Sequence, residues 1–347
     1  MKIQLVQIGS GTRLERVLSG ALSGMPADKV PSDPFPILKN QRILFAVHVD
    51  EYGPGTDLIR FLRSIRKDPD CLHGSVAGIV VDGRGELFTK ETARELAFAA
   101  SMAGCTFPGK ALAEGTGSLY NQHILAGKLG TSLEETYVRR IREITERVHA
   151  FRPPHAEHPK LVVIHASDSR RSNTYWMGEE VIRRLSGRVD TQIYTLQNGT
   201  IKDCRGCSYR TCLHFSRDNT CYYGGTISKE ILPAVSACDA MLFLCPNYND
   251  SVSANIMAFF NRLTNLLVRE DLSEKYLFGI IVSGYSGGDI VAKQLLGTMS
   301  FNKTAILPPH FCLLQTAHEP GSASLVPGMA EKLDQFAEHM ASVMLGS

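Results

Sequence analysis

Residues 241–262 read MLFLCPNYNDSVSANIMAFFNR. The first five are continuously apolar, which predicts a buried strand. The next nine, from Pro246 to Ala254, are polar apart from a few small residues and one aromatic side chain, and therefore predict a turn. The apolar residues that follow, including Phe259 and Phe260, predict a helix. A buried strand that runs through a polar turn into a helix is the unit from which parallel α/β sheets are built.

The same alternation continues on both sides of this stretch, over about 160–345. Strands are predicted at 161–165, 191–196, 240–245, 277–283 and near 304–307. Helices are predicted near 174–186, 226–236, 253–268, from 288 onward, and at 328–344, and a cysteine-rich loop at 203–224. The pattern predicts a doubly wound parallel sheet, which binds ligands beyond the carboxyl ends of its strands. The turns 166–174, 246–252 and 283–288 are therefore the candidate binding loops.

The turn 166–174, ASDSRRSNT, has the chemistry of a phosphate site. Its hydroxyl groups donate hydrogen bonds, and Arg170 and Arg171 add positive charge. The helix that follows contributes free backbone N–H groups and a partial positive charge. The spacing is neither that of a Walker A loop nor that of a GxGxxG turn, which argues against ATP and a Rossmann-bound dinucleotide. A polar turn with a helix-capping serine is the alternative interpretation.

Length and composition limit the classes of function. A chain of 347 residues predicts two domains, and a formal charge of +2 gives no electrostatic reason to bind nucleic acid or an anionic membrane. No apolar run approaches the length of a membrane span, and the N-terminus lacks a signal-like apolar core. We therefore expect no membrane span and a cytoplasmic protein. The nine cysteines are interpreted as reduced thiols or metal ligands.

A proline-rich linker at 151–159 divides the chain. A helix is predicted before it at 132–149, where Ser132 and Glu135 form a capping-box pattern. The predicted organisation is an N-terminal α/β domain over 1–152 and a second α/β domain over 160–347.

The second domain resembles the flavodoxin-like NADPH-dependent FMN reductase family, including its iron–sulfur flavoprotein branch. Three motifs carry the resemblance, in the family's order and at matching strand ends: ASDSRRSNT (166–174), PNYNDSVSANIMAFFNR (246–262) and SGYSGG (283–288). The resemblance implies a flavodoxin-like doubly wound sheet that binds FMN, with NAD(P)H as co-substrate. It also implies a homodimer or homotetramer.

The resemblance assigns a part of the flavin to each loop. It places the phosphate near Ser167, Ser169, Arg170, Ser172, Asn173 and Thr174. It places the isoalloxazine against Pro246, Asn247, Tyr248 and Asn249, with Ser251 in the same loop. It covers the polar edge of the ring with Ser283, Gly284, Tyr285 and Gly287. No catalytic side chain is identified, because the flavin supplies the chemistry.

The implied function is an FMN-dependent NAD(P)H oxidoreductase that passes electrons to a quinone, a flavin, a metal or a protein acceptor. Two alternatives stay open. One is an electron-transfer flavoprotein with FMN and an iron–sulfur cluster, and the other is a non-catalytic binding or assembly protein on the same fold.

Four of the nine cysteines lie close together in the sequence, at Cys204, Cys207, Cys212 and Cys221. Thiolates so close in one loop suit a metal or a cluster. The resemblance implies a [4Fe–4S] cluster, although the spacing here is wider than in the iron–sulfur flavoproteins. Zinc and unligated thiols are the alternatives.

The N-terminal half shows a similar but weaker pattern. Residues 43–45 align with 161–163, and 78–83 with 241–245, which predicts a degenerate flavodoxin-like repeat that lacks one strand and the cysteine loop. Convergent strand–helix patterning is the alternative. In this alignment Glu51, Tyr52 and Gly53 replace the phosphate-loop residues, with Asp50 before them. Each carboxylate would repel a phosphate by about 1–4 kcal/mol, so no FMN is expected in the first domain.

Overall fold

The computed structural model describes residues 2–167, 172–217 and 221–346. The chain divides into two units. Unit 1 comprises Met1–Arg152 with Leu307–His310, and unit 2 comprises Pro153–Ile306 with Phe311–Ser347. The main division falls within the proline-rich stretch 151–159.

Unit 1 is a mostly parallel sheet with helices. Its strands are β1 (Ile3–Ile8), β2 (Ala27–Val30), β3 (Arg42–Asp50), β4 (Gly53–Pro54), β5 (Val76–Gly83) and β6 (Leu112–Gly115). Its helices are α1 (Thr12–Leu22), α2 (Thr56–Lys67), α3 (Thr89–Ser101), α4 (His123–Leu129) and α5 (Leu133–Ala150). The strand order is β2-β1-β3-β5-β6, and β4 pairs with β3 in an antiparallel hairpin.

Unit 2 is a five-stranded sheet in which every pair of strands is parallel. Its strands are β7 (Lys160–His165), β8 (Asp190–Thr195), β9 (Ala240–Pro246), β10 (Tyr276–Ser283) and β11 (Cys312–Thr316). Its helices are α6 (Asn173–Leu185), α7 (Tyr209–Ser216), α8 (Leu232–Ala237), α9 (Ala254–Arg262), α10 (Thr264–Leu267), α11 (Gly288–Leu296) and α12 (Met329–Leu345). The order β8-β7-β9-β10-β11 is the flavodoxin order 2-1-3-4-5, so the predicted fold is confirmed.

Burial explains why the central strands of unit 2 are so apolar. All eight residues of β10 are buried, and β9 is buried from Ala240 to Cys245, because helices cover both faces of the sheet. Helix α6 packs close to the sheet because Gly178 lacks a side chain: a Cβ there would lie 2.5 Å from Cδ1 of Leu244. This close approach holds the middle of α6 against β9.

The predicted capping box at the start of α5 is confirmed. The hydroxyl of Ser132 accepts from the backbone N–H of Glu135 at 3.2 Å, and the Glu135 carboxylate accepts from the backbone N–H of Ser132 at 2.9 Å. Farther along α5, Tyr137, Ile141, Ile144 and Val148 form its buried stripe against the sheet of unit 1.

The two units share one strand order, but the sequence alignment of the repeat was wrong. Without the hairpin strand β4, unit 1 also has the order 2-1-3-4-5, and all five strands of unit 2 have counterparts. Residues 43–45 lie in the third strand of that series, whereas 161–163 lie in the first. The β5–β6 pair Ile79–Leu112 corresponds to the β10–β11 pair Gly279–Cys312, each partner 200 residues further along. Short apolar runs resemble one another, so an apolar run alone does not show which strand of the sheet order it forms.

Two predicted elements differ in the structure. The last strand lies at Cys312–Thr316, not at 304–307. There Thr304 has a left-handed φ of 72°, and Ile306 and Leu307 form only isolated bridges, to Tyr276 and Phe107. The apolar residues there are buried without being a strand. The cysteine-rich segment, predicted as a loop, contains helix α7, which begins where the Ser208 hydroxyl accepts from the N–H of Thr211 at 3.2 Å.

The helices of both units are amphipathic or short. The longest, α5, has 18 residues and carries charged side chains throughout. Within the residues that the structure describes, no helix combines the length and the apolar character needed to cross a membrane.

Candidate functional site

The candidate site lies at the carboxyl ends of β7, β9 and β10. Strand β7 pairs with β8 on one side and with β9 on the other, so the chain leaves the sheet in opposite directions at this point. Crevices at such switch points are where doubly wound sheets bind ligands. All three predicted binding loops follow these strands directly.

The structure describes only the two ends of the first loop, at 166–167 and 172–174. The Oγ atoms of Ser167 and Ser172 lie 3.3 Å apart, and Ser172 is the N-cap of α6, where its hydroxyl accepts from the N–H of Tyr175 at 3.4 Å. Two hydroxyl groups therefore meet at the N-terminus of a 13-residue helix. Ser169 and Arg170 of the predicted set lie outside the described residues, as do Asp168 before them and Arg171 after them.

Asn173 has a structural role that the sequence did not predict. Its amide nitrogen donates to the carbonyl oxygens of Ala317 and Glu319, at 3.3 and 2.8 Å, and its amide oxygen accepts from the N–H of Ala323 at 3.0 Å. Both amide hydrogens are used, so this side chain fastens the segment 317–323 to α6. Thr174 is buried. A phosphate would meet the backbone N–H groups of these two residues more readily than their side chains.

The second loop forms a tight turn. Tyr248 and Ser251 pair through two backbone hydrogen bonds of 3.0 and 3.1 Å, and Asn249 and Asp250 between them both have left-handed φ, at 51° and 59°. Asparagine and aspartate tolerate this conformation better than other side chains do. Tyr248 leaves the turn with 54% of its surface exposed.

Asn247 connects the second loop to the third. Its backbone N–H donates to the carbonyl oxygen of Val282 at 2.8 Å. Its side-chain nitrogen lies 3.3 Å from Oγ of Ser283 and 2.9 Å from the carbonyl oxygen of Ser286, and its side-chain oxygen accepts from the N–H of Asp250 at 2.8 Å. One amide therefore holds the predicted residues of both loops together.

Gly287 lets the second and third loops approach closely. It is the N-cap of α11 and has φ 80°. A Cβ there would lie 2.0 Å from Oδ1 of Asp250 and 2.9 Å from Nδ2 of Asn247. Glycine is therefore required at position 287, because other residues disfavour this backbone conformation and because a Cβ would collide with the second loop.

The segment 317–323 completes the site. The N–H of Ala317 donates to the carbonyl oxygen of Ser283 at 2.9 Å, and Nδ1 of His318 would lie 3.0 Å from a Cβ at Gly284. Since Asn173 binds the same segment, the first and third loops are connected through it.

Two further residues, Gln294 and Asn255, position the loops. Gln294 of α11 accepts from the N–H of Val252 at 2.9 Å, and Asn255 donates to the carbonyl oxygen of Leu196 at 2.8 Å. Gln294 carries no sequence signal, because a single polar residue on a helix does not reveal its partner. Asn255 lies inside the motif SVSANIM, which could have indicated it.

The four clustered cysteines share one region but form no recognisable metal site. Cys204 and Cys207 are exposed, and Cys212 and Cys221 are half-buried. Burial, together with the nearby thiols of Cys221, Cys204 and Cys207, raises the pKa of Cys212. Across 2–167, 172–217 and 221–346, no three His, Cys, Asp or Glu side chains are placed to hold a metal ion.

The cysteine segment is anchored at both ends by Arg262, the last residue of the second motif. This guanidinium is 4% exposed and donates to the carbonyl oxygens of Gly224 at 2.7 Å and Lys202 at 3.4 Å. The two ends of the segment are therefore held beside α9, and Cys204 and Cys207 within it are exposed.

Comparison with known proteins agrees with the resemblance. Residues 159–319 match the family described as NADPH-dependent FMN reductase. No curated protein matches the chain.

Solved structures similar to this chain include the following three proteins. One is RosB with a bound 8-demethyl-8-formylriboflavin-5′-phosphate intermediate. Its sequence is 12% identical, the match covers 53% of this chain and 78% of RosB, and the TM-score is 0.43. The second is the NAD(P)H:quinone oxidoreductase from Methanothermobacter marburgensis: 12% identity, 53% and 96% coverage, TM-score 0.41. The third is a flavodoxin, WrbA-like protein from Agrobacterium tumefaciens: 14% identity, 54% and 97% coverage, TM-score 0.36. The fold assignment rests on the strand order, and the family match adds that residues 159–319 are similar in sequence to NADPH-dependent FMN reductases.

Proposed function

On the premise that residues 159–319 form an FMN reductase-like domain, we propose that unit 2 binds FMN where β7, β9 and β10 end and passes electrons from NAD(P)H to an acceptor. One observation carries the proposal: hydrogen bonds from Asn173 and Asn247 hold the loops after β7, β9 and β10 at one edge of the sheet. This arrangement places the loops that would contact the phosphate and those that would contact the ring at one edge of the sheet.

The phosphate end of FMN fits the start of α6. Ser167 and Ser172 offer two hydroxyl groups 3.3 Å apart, and the first turn of the helix offers backbone N–H groups. Ser169 and Arg170, outside the described residues, are proposed to complete this end. A dianion is stabilised there by hydrogen bonds and by the helix dipole.

The ring end fits the second and third loops. Tyr248 and Tyr285 are 54% and 78% exposed, so each presents a flat apolar face, and Pro246, Asn249 and Ser251 stand beside them in sequence. Gly284 and Gly287 add no side chain, which lets a planar ligand approach the backbone N–H groups. FMN, when bound, supplies hydride and electron transfer. The chain's own contribution is to orient the ring, because Asn247 and Gln294 fix both loops.

For the acceptor we propose a planar small molecule, such as a quinone or a free flavin. The two exposed tyrosines support this choice, since aromatic faces stack favourably on flat conjugated rings. A metal or a protein acceptor, a cytoplasmic location, and a homodimer or homotetramer stay predictions from the sequence.

The [4Fe–4S] cluster also stays a prediction, and the proposed function does not depend on it. The described cysteines do not form a three-ligand set, so no electron step is assigned to them. Iron and acid-labile sulfide analysis of anaerobically purified protein tests the cluster directly.

The proposed function is tested by titrating the purified protein with FMN and following the quenching of flavin fluorescence. We expect saturation at one FMN per chain, and weaker binding of riboflavin, which lacks the phosphate. The loaded protein should oxidise NADH or NADPH when a quinone is added. A protein that takes up no FMN contradicts the proposal, and one that binds FMN without oxidising either nicotinamide supports the electron-transfer alternative instead.

A further inference from the structure

His165 is the last residue of β7 and stands immediately before the first loop of the proposed flavin site. It is 3% exposed and pairs in register with Thr195, the last residue of β8. It lies outside the three motifs that carry the family resemblance, the first of which begins at Ala166. The proposed ligand contacts do not include it, so this buried titratable group has no role in the function described above.

Both ring nitrogens of His165 have hydrogen-bond partners. Nδ1 accepts from the backbone N–H of Ser167 at 3.2 Å, and Nε2 lies 2.9 Å from Oγ1 of Thr195. An imidazole nitrogen that accepts a hydrogen bond carries no hydrogen itself, so the hydrogen of the ring is on Nε2 and is donated to Thr195. These contacts assign the neutral, Nε2-protonated form to His165.

The same ring contacts the other end of the first loop. Its centroid lies 4.8 Å from that of Tyr175, which belongs to the first turn of α6. The backbone N–H of Tyr175 donates to the hydroxyl of Ser172 at 3.4 Å. One imidazole is thus connected to Ser167 by a hydrogen bond and to the Ser172 cap through Tyr175, and the hydroxyls of the two serines lie 3.3 Å apart.

The hydrogen bond to His165 decides which groups of Ser167 are available to a ligand. The backbone N–H of Ser167 is directed at the imidazole, so its hydroxyl remains to donate to a phosphate. A backbone that is held by a buried side chain also has less conformational freedom to lose when a ligand binds. Because the imidazole is itself buried, it would act on a ligand through Ser167 and not by direct contact.

We propose that His165 is a positioning residue of the phosphate site, an inference that rests on the proposed binding of FMN by unit 2. Its neutral imidazole holds the backbone of Ser167 and packs against the first turn of α6, so that the hydroxyls of Ser167 and Ser172 point to the same place. A phosphate ester gains from this arrangement, whereas the ring end of a flavin is bound by other loops. Loss of the hydrogen bond from Ser167 should therefore weaken the binding of FMN and leave that of riboflavin unaffected.

Two variants separate the two ends of the imidazole. In His165→Asn the amide oxygen reaches the position of Nδ1 and can still accept from Ser167, whereas in His165→Gln the longer side chain places its amide nearer to Thr195. Both variants remove the ring contact with Tyr175, so each is the matched control for the other. In fluorescence titrations we expect His165→Gln to bind FMN about fivefold more weakly than the wild type, as for one lost hydrogen bond, and His165→Asn to stay within about twofold. Riboflavin should bind equally well to both variants and the wild type.

Three results would overturn the proposal. Equal weakening of FMN binding in the two variants would mean that only the packing of the ring matters. Unchanged FMN affinity in His165→Gln would remove His165 from the phosphate site, and an equal loss of riboflavin affinity would show that the effect is not at the phosphate. A wild-type protein that binds no FMN contradicts the proposed function and this inference together, whereas a wild type that binds FMN no more tightly than His165→Gln contradicts this inference alone.

The protonation state of the ring gives a readout that requires no flavin. In ¹⁵N NMR spectra of the histidine-labelled, flavin-free protein, the signals that are missing from His165→Asn identify His165 among the eleven histidines. We expect a protonated Nε2 and an unprotonated Nδ1. A ring that is protonated at Nδ1 cannot accept from Ser167, so that result also overturns the proposal.

Discussion

The hydroxyl of Tyr285 lies 3.1 Å from Nε2 of His318, and their rings lie 4.5 Å apart at an angle of 30°. The two residues come from different strand ends, Tyr285 after β10 and His318 after β11. Glu319 adds a carboxylate oxygen 3.6 Å from the same Nε2. An exposed phenol is thus within hydrogen-bond distance of an imidazole at the edge of the proposed flavin site, where a proton must accompany electrons to a quinone.

Tyr285→Phe tests this pair. The change removes only the hydroxyl, so we expect the fold and the FMN affinity to be preserved and kcat for quinone reduction to fall about fivefold, equivalent to one hydrogen bond of about 1 kcal/mol. The loss of kcat should be smaller at low pH, where protons from the solvent replace those supplied through the Tyr285–His318 pair. Tyr52→Phe, an exposed tyrosine of unit 1, is the control. A variant with an unchanged pH–rate profile would show that the pair is structural only.

Gly287→Ala should disrupt the junction between the second and third loops. Any side chain at φ 80° costs about 1–2 kcal/mol, and the added Cβ would also collide with Asp250 and Asn247. Gly328→Ala is the matched control, because Gly328 is the N-cap of α12 at φ 73° and a Cβ there lies 4.0 Å from its nearest neighbour. Both variants should lose similar backbone stability, but only Gly287→Ala should weaken FMN binding, by about tenfold or more. Equal FMN affinity in the two variants would place the flavin elsewhere.

Ser172→Ala separates helix capping from ligand binding. Ser172 and Ser132 each cap a helix by accepting a backbone N–H, so either alanine variant should lower the free energy of unfolding by about 1 kcal/mol. Only Ser172→Ala should weaken FMN binding, about fivefold, because its hydroxyl also lies 3.3 Å from that of Ser167. Fluorescence titration and urea unfolding measure the two effects. Identical flavin affinity in both variants would remove Ser172 from the phosphate site.

Thiol reactivity should divide the nine cysteines into two groups. Burial raises the pKa of Cys71 to about 11 and those of Cys238 and Cys245 to about 12. At pH 8 a thiol with a pKa of about 11 is ionised in about one molecule in a thousand, so these groups react slowly. We expect four thiols to react faster than the five buried ones in the native, metal-free protein, those of Cys204, Cys207, Cys212 and Cys221, with Cys212 the slowest of the four because its pKa is raised. All nine should react after unfolding.

Cys204→Ser provides the control for this titration and should reduce the rapid group to three. Raising the pH increases the thiolate fraction of every group, and the slow group should accelerate last because its pKa values are raised. Fewer than four rapid thiols in the purified protein, restored to four by a chelator, would instead reveal a bound metal.

Much of the fold of unit 2 could be predicted because its strands are short apolar runs with polar turns between them. The run at 241–245 and the turn from Pro246 identify β9 and its loop without reference to any other part of the chain. The strand at 312–316 was missed because it is only partly buried, whereas the buried residues 305–307 beside it have a stronger apolar signal.

The site could be predicted only as a set of loops. Which side chains face the ligand depends on contacts between distant segments. The amide of Asn173 is a hydrogen-bond donor of the kind that binds phosphate, but in the structure it binds the backbone at 317–323. Contacts in unit 1 are hidden from the sequence for the same reason. Arg13, His48 and Asp82 are far apart in the chain and come together only through the sheet.

The buried guanidinium of Arg262 binds both ends of the cysteine segment. Because this side chain donates to the carbonyl oxygens of Lys202 and Gly224, it holds the two ends close together. Lengthening a loop with fixed ends costs little, on the order of 0.6 kcal/mol for each doubling. Evolution could therefore add, respace or lose cysteines there without altering the sheet, and an engineer could graft a different redox peptide onto the same two anchor points.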